Sequence, residues 1–243
     1  MNVQINPKYG ELTPFINALP EIFPKFGDVI YEGRNIIKVF KVNGIYVNVK
    51  SFKKPVFINQ VVYKYFRSSK AERSFKYAVR ILERNVNTPE PIAYIEMDKN
   101  GLFSQSYYIS IHETVDGTMK DIYNQTAEES KDLVKAFTLF TAELHSKGIF
   151  HKDYSPGNIL YKKTGNSYEF FLVDLNRMKF KRINVFDSCK SFCKIRIDNK
   201  TQNYIAKEYS RIRNYNIIIC EKLISFYNRL FWKKYLYRHP EKA

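Results

Sequence analysis

Apolar and polar positions change rhythm several times along this chain, and each change predicts an element. Over residues 29–52 β-branched and aromatic residues dominate, broken at Gly33 and at Asn43-Gly44. That pattern predicts two or three strands with a tight turn at Asn43-Gly44. Over residues 69–84, Phe75, Val79 and Leu82 recur at helical spacing with basic residues opposite, and Thr88-Pro89-Glu90-Pro91 stops the helix. Residues 92–97 and 106–111 then form a predicted hairpin turning through Asp98-Lys99-Asn100-Gly101, followed by a connector at 112–117. The clearest helix follows. It opens on the capping box Thr126-Ala127-Glu128-Glu129, buries Leu133, Val134, Phe137, Phe140 and Leu144, and ends at Gly148. Two short strands, 159–162 and 169–173, flank a turn at Thr164-Gly165-Asn166.

The two ends of the chain have other patterns. Pro7, Pro14, Pro20 and Pro24 among Phe, Leu and Ile in the first thirty residues predict an irregular arm lying on the first lobe. From residue 201 onward Ile, Leu, Phe and Tyr alternate with Lys and Arg, and 214–238 form one or two basic amphipathic helices. These either pack on the preceding lobe or touch a membrane surface. The organisation is α+β in two lobes. Residues 1–112 form an N-terminal lobe of arm, antiparallel sheet and one helix, and residues 113–243 form a mainly helical C-terminal lobe.

Candidate chemistry lies where the second hairpin begins and ends. Residues 151–160 are His-Lys-Asp-Tyr-Ser-Pro-Gly-Asn-Ile-Leu, and the apolar strand after them ends in Val173-Asp174-Leu175-Asn176. Phosphoryl transfer needs an Asp near the acceptor hydroxyl, an Asn a few residues later to hold one metal ion, and a second Asp for the metal that bridges the nucleotide phosphates. Asp153, Asn158 and Asp174 have that order and spacing. A tight hairpin brings its own ends together, so the three converge, with Asp153 as base and Asn158 and Asp174 as Mg²⁺ ligands for ATP. His151 supports the loop through hydrogen bonds. A kinase also needs a cation over the nucleotide phosphates, and Lys50 in Tyr46-Val47-Asn48-Val49-Lys50 fits that place. Its ion-pair partner is Glu72 on the first-lobe helix, with Glu83 the alternative. The phosphate-covering turn falls at Gly33-Arg34-Asn35, where one glycine replaces a Gly-rich loop; backbone amides or Arg34 contact phosphate, or the segment is an ordinary strand turn.

Composition narrows the class. Forty Lys and Arg against 24 Asp and Glu give a formal net charge of +16, which favours phosphate-rich partners of any kind. No zinc-finger spacing, RNA-recognition signature or recognition-helix pattern is present, so nucleic acid is not the expected partner. No apolar run reaches the ~18 residues that span a bilayer, and the N-terminus has no leader pattern, which predicts a cytoplasmic protein. The three cysteines, Cys189, Cys193 and Cys220, make no disulfide framework and predict free thiols.

Taken together, Val47-Asn48-Val49-Lys50, Thr88-Pro89-Glu90-Pro91-Ile92-Ala93, the 151–160 segment and Val173-Asp174-Leu175-Asn176-Arg177 resemble the bacterial lipopolysaccharide core kinases. That family phosphorylates heptose or 3-deoxy-octulosonic acid (Kdo) sugars and has a protein-kinase-like fold. The resemblance covers residues 33–180. It implies ATP, Mg²⁺ and a lipid-linked sugar acceptor at the cytoplasmic face of the inner membrane, where an anionic surface attracts a basic chain. Ser155 stands where Ser/Thr protein kinases carry a Lys, Asp174 is followed by Leu-Asn rather than Phe-Gly, and no Ala-Pro-Glu follows. These departures favour a sugar over a protein acceptor. Another kinase of this fold, or a catalytically silent kinase-like binding module, remains the alternative.

Overall fold

A six-stranded antiparallel sheet organises residues 1–114 of the computed structural model, which describes residues 1–53 and 68–242. Its strands are β1 (Asn2–Ile5), β2 (Asp28–Glu32), β3 (Asn35–Val42), β4 (Ile45–Phe52), β5 (Pro91–Lys99) and β6 (Leu102–Ile111). They lie in the order β1-β5-β6-β4-β3-β2. Asn43 (φ 48°) and Gly44 (φ 83°) turn β3 into β4, the left-handed pair that a two-residue hairpin requires. Asn100 and Gly101 repeat the device between β5 and β6.

The proline-rich start is not an irregular arm. Residues 2–5 pair with β5, Asn2 opposite Glu96 and Ile5 opposite Ala93, and α1 (Thr13–Ile22) follows a short 3-10 stretch. Pro7 and Pro14 stand at helix starts, where an absent N–H costs nothing, and Pro24 lies just past the end of α1. Pro20 does sit inside α1. Tertiary burial outweighs the lost hydrogen bond there, because Ile16 and Leu19 are fully buried against Val47, Val49, Ile92, Ile95 and Ile109.

Helix α2 (Lys70–Leu82) starts at Ser69, whose hydroxyl accepts the Glu72 amide at 3.1 Å. It buries Ala71, Ser74, Phe75, Ala78 and Ile81, while Val79 and Leu82 are half-buried. The buried stripe is thus turned from the predicted one, because the small Ala71 and Ala78 let the helix approach closely. Phe52, Ala71, Phe75 and Tyr94 form one buried cluster beneath it.

Residues 115–243 form a second unit. Strands β7 (Gly117–Thr118), β9 (Ile159–Thr164) and β10 (Ser167–Leu172) make a small sheet, and β8 (Ile149–His151) pairs with β11 (Met178–Phe180). Four helices complete it: α3 (Lys131–Ser146), α4 (Val185–Ser191), α5 (Asn199–Arg213) and α6 (Ile217–Arg238). The predicted capping box is made, with Thr126 N donating to Glu129 Oε2 at 2.7 Å and Glu129 N to Thr126 Oγ1 at 3.3 Å. It closes a turn at 127–130, and regular helix begins only at Lys131. Leu133, Val134, Phe137 and Leu144 are buried, Phe140 half-buried, and Gly148 (φ 69°) takes the left-handed position after the helix. Helix α6 packs through Cys220, Ile224 and Asn228. Among the described residues no helix is long and apolar enough to cross a membrane.

Candidate active site

The two loops at the mouth of the β9–β10 hairpin are tied to each other residue by residue. Val173 N donates to Asn158 O at 3.0 Å, extending the ladder that pairs Ile159 with Leu172. Asn158 Nδ2 donates to Asp153 O at 2.9 Å, and Ser155 N donates to the same carbonyl at 2.8 Å. His151 is buried between the loops, accepting Asp153 N on Nδ1 at 3.1 Å, so its Nε2 carries the proton donated to Val173 O at 3.0 Å. Burial pushes the imidazole below its ordinary value, keeping it neutral in that bridging role. Below the loop, buried Tyr154 stacks on Phe137 at 5.9 Å and shares a 2.9 Å hydrogen bond with Thr141, anchoring the loop to α3. Asp153, Asn158 and Asp174, picked from spacing, are therefore brought together by this one network.

Asp174 adopts the left-handed conformation at φ 59° and ψ 49°. Asp tolerates that region better than most residues, yet it is uncommon outside glycine. Asn176 Nδ2 donates to Asp174 Oδ1 at 2.6 Å and holds the carboxylate in place. An outlying backbone secured by its neighbours is common at functional positions. Asn158, with its amide nitrogen committed to Asp153 O, keeps Oδ1 as an acceptor for a cation. One carboxylate and one amide oxygen suit Mg²⁺, which prefers a few hard oxygen ligands and leaves other positions to water and phosphate. Among the described residues no group of three or more His, Cys, Asp and Glu side chains could hold a metal.

Lys194, which motif reading missed, and Arg177, quoted in the 173–177 segment without a role, complete the surroundings of Asp153. Lys194 forms an ion pair and hydrogen bond with Asp153 Oδ1, and Arg177 Nη1 stands 3.9 Å from Oδ2. Burial alone would raise the Asp153 carboxyl, but the Lys194 hydrogen bond and charge, with help from Arg177, hold it below the usual carboxylate range. The backbone on either side of Lys194 is gripped from α6: buried Asn228 Nδ2 donates to Ile195 O at 2.7 Å and to Cys193 O at 3.3 Å. Gln202 Nε2 donates to Asn228 Oδ1 at 3.4 Å. Sequence held one clue. Ser155 occupies the place where a protein kinase supplies a Lys to its own loop, so a cation from elsewhere was to be sought; nothing local pointed 41 positions downstream.

The candidates of the first unit form a separate group. Lys50 is half-buried on β4, in register with Ile37 on β3 and Tyr108 on β6, with Nζ 5.3 Å from the Phe52 ring centre. The Gly33-Arg34-Asn35 turn begins the same ladder: Asn35 pairs with Phe52, two residues beyond Lys50, and Gly33 N donates to Asn35 O at 3.1 Å. Asn35 Oδ1 accepts Lys53 N at 3.3 Å. Glu72 lies in the first turn of α2, one turn before Phe75 of the cluster that contains Phe52. Burial would raise its carboxyl, but hydrogen bonds from Lys76 and Ser68 bring it below the ordinary value. The Lys76 bond is an i,i+4 pair of 2.5 Å. Glu83 is exposed at the opposite end of the helix, leaving Glu72 as the carboxylate beside the Phe52 cluster.

Comparison with known proteins gives a family and a fold. Residues 36–214 match the model of the lipopolysaccharide kinase (Kdo/WaaP) family. Among solved structures the chain is similar to WaaP in complex with acyl carrier protein, at 17% identity and a TM-score of 0.63, covering 96% of this chain and 99% of that one. A Rio2 kinase–ADP/Mg²⁺–phosphoaspartate complex from Chaetomium thermophilum gives 13% identity and a TM-score of 0.48, covering 89% of this chain and 67% of that one. No curated protein matches. The likeness to WaaP shows the protein-kinase-like fold.

Proposed function

The chain belongs to the lipopolysaccharide kinase (Kdo/WaaP) family, and from that premise we propose that it is an ATP- and Mg²⁺-dependent kinase of an inner-core sugar hydroxyl, on Kdo or heptose. The observation that carries this reading is the bonded set Asp153–Asn158–Val173–His151, with Asp174 one residue beyond it. On this reading the sugar hydroxyl lies against the Asp153 carboxylate, which orients it and accepts its proton as the oxygen bonds to the γ-phosphorus and the bond to the β,γ-bridging oxygen breaks. Asn158 Oδ1 and the Asp174 carboxylate would hold Mg²⁺, whose charge offsets that developing on the phosphates. Lys50 would hold nucleotide phosphate from β4, with Glu72 orienting it and the Gly33-Arg34-Asn35 turn covering the phosphates.

Lys194 takes a positioning role in this scheme. A depressed carboxyl stays ionised, and a cation hydrogen-bonded to Oδ1 leaves Oδ2, with Arg177 Nη1 3.9 Å away, as the oxygen to face the hydroxyl. The acceptor is lipid-linked, so the enzyme works as a cytoplasmic protein at the inner-membrane surface. The net charge of +16 suits such a surface, where each nearby basic residue contributes roughly 1 kcal/mol.

The test is transfer of label from γ-labelled ATP with Mg²⁺ to dephosphorylated core lipopolysaccharide, with Asp153→Ala as control. Label on the sugar that disappears in the variant is the expected result. Equal label with Asp153→Ala overturns the assignment. A protein that binds Mg-ATP but labels no core sugar has a different acceptor.

A further inference from the structure

Beside the segment that carries Lys194 lies a pocket of about 490 Å³, within the ~300–1,000 Å³ range of small-molecule sites. Tyr123, Arg196, Trp232 and Tyr235 line it, with Gln125 and Thr201 among its polar groups. All belong to the second unit. We infer that this pocket binds the acceptor itself, as an anionic pyranose stacked on its aromatic rings with the sugar carboxylate on Arg196. The inference rests on the sugar-kinase reading and adds to it the residues that select the sugar.

Three observations point to such an occupant. The first is the Arg196 charge. Its guanidinium carbon stands 5.7 Å from the Trp232 ring centre, and among the described residues it pairs with no carboxylate. The acidic residue of the lining, Asp198, is committed elsewhere: its oxygens accept Thr201 N at 2.8 Å and Thr201 Oγ1 at 3.0 Å, capping α5. A guanidinium beside an aromatic ring and free of a carboxylate keeps its N–H groups for an incoming anion, and it pairs with a carboxylate through two hydrogen bonds.

The second observation is the Trp232 indole. Its Nε1 is buried and meets no acceptor among the described residues, although its ring lines the pocket. That nitrogen is sealed from the pocket, so the indole offers an occupant its ring face and not its N–H. The apolar C–H face of a pyranose packs on the electron-rich face of such a ring. The third is location. The Tyr123 hydroxyl lies 3.4 Å from Arg196 N and 3.5 Å from Lys194 O. One short stretch of chain therefore sends Lys194 to Asp153 and, two residues later, Arg196 to the pocket wall. The pocket wall and the Asp153 carboxylate are thus joined through the same three residues.

Trp232 is the chain's single tryptophan, so its fluorescence reports on the pocket directly. The full-length protein is titrated with deacylated, dephosphorylated inner-core oligosaccharide while tryptophan emission is followed. The KM values for acceptor and ATP are measured in parallel for wild type, Arg196→Gln, Arg196→Lys and Trp232→Phe. A saturable emission change is expected that Arg196→Gln weakens at least tenfold. The acceptor KM should rise at least tenfold in Arg196→Gln and Trp232→Phe, fall part of the way back in Arg196→Lys, and leave the ATP KM within twofold of wild type. Arg196 is exposed, so loss of folding does not confound that variant. Normal transfer with unchanged acceptor KM in Arg196→Gln and Trp232→Phe overturns the pocket while the kinase reading stands. Saturable emission without phosphate transfer supports the pocket and overturns the kinase reading. No emission change and no transfer overturn both.

Discussion

Both units carry residues expected to handle phosphate, yet they hold them by different means. In the second unit every step from His151 to Val173 is a hydrogen bond between neighbours, and the backbone itself is committed, down to a left-handed Asp174. In the first unit Lys50 is placed by strand register, and Glu72 by a helix that packs through Ala71 and Phe75. A bonded loop tolerates little change in any member. A register-placed side chain depends on the sheet as a whole, so replacing one side chain there removes its charge and leaves its surroundings intact. Substitutions should therefore produce losses of different kinds in the two regions.

The largest effects belong to the bonded loop. Asp153→Ala should lower kcat by roughly 10²–10⁴-fold, the usual worth of a positioned general base, while the thermal shift given by Mg-ATP persists. Asp174→Ala should do the reverse first: the metal-dependent thermal shift disappears, which differential scanning fluorimetry with and without Mg²⁺ would show. If Asp174→Ala kept the shift and Lys50→Ala alone lost it, the contrast between the two regions would collapse.

Next in size is Lys194→Met, with a fall in kcat on the order of 10²-fold, typical of losing one charge-stabilising donor. The pH profile separates positioning from mere structure. In the wild type Lys194 helps hold the Asp153 carboxyl below its usual value, so the base stays ionised into acid solution. Without Lys194 the carboxyl rises, and the acid limb of the kcat profile should move to higher pH. The linked stability follows the same sign: a depressed folded-state carboxyl stabilises the fold above its unfolded value and loses that contribution as pH falls through the folded one. Lys194→Arg should return most of the wild-type limb. An unmoved limb in Lys194→Met would remove Lys194 from the mechanism.

The contrast also explains what was legible in sequence. That the loops carrying Asp153, Asn158 and Asp174 lie together was readable because a hairpin brings its own ends together, so spacing along the chain carries their geometry. Lys194 and Asn228 escaped because their partners lie 41 and 33 positions away, and a single Lys among basic residues or Asn among Ile, Leu and Phe has no local signature. The hairpins at Asn43-Gly44 and Asn100-Gly101 were readable from turn chemistry. Helix α1 was not, because proline propensity counted against it and the burial of Ile16 and Leu19 that outweighs Pro20 appears only once the sheet exists. The face of α2 was read in part, with Phe75 buried and Val79 packed on the same cluster, but the small Ala71 and Ala78, which look neutral in sequence, extend the buried stripe to one side.

A smaller effect should come from Asn228→Ala. Leaving the carbonyls of Cys193 and Ile195 without their donor costs about 1–3 kcal/mol, and each kcal/mol lowers Tm by roughly 2–4 °C in a chain of this size. Because the lost grip lies on both sides of Lys194, kcat should fall with stability, by less than in Lys194→Met. A destabilised Asn228→Ala with full kcat at a temperature where it remains folded would show that the Lys194 segment needs no support from α6.

The smallest expected effect is also the sharpest test of the first unit. Glu72 shows a hydrogen-bonded pair with Lys76, one turn along α2, and Lys76 is mostly exposed. Such a pair contributes only about 0.3–0.5 kcal/mol to a helix, so Lys76→Ala should barely change Tm and should leave the ATP KM alone. Glu72→Gln removes the same pair at similar cost to the helix, but it also removes the carboxylate proposed to orient Lys50. If Glu72 serves the nucleotide, Glu72→Gln raises the ATP KM severalfold where Lys76→Ala does not. If the two variants behave alike, Glu72 serves only its pair with Lys76, and the nucleotide cation of the first unit is oriented by the sheet that carries it.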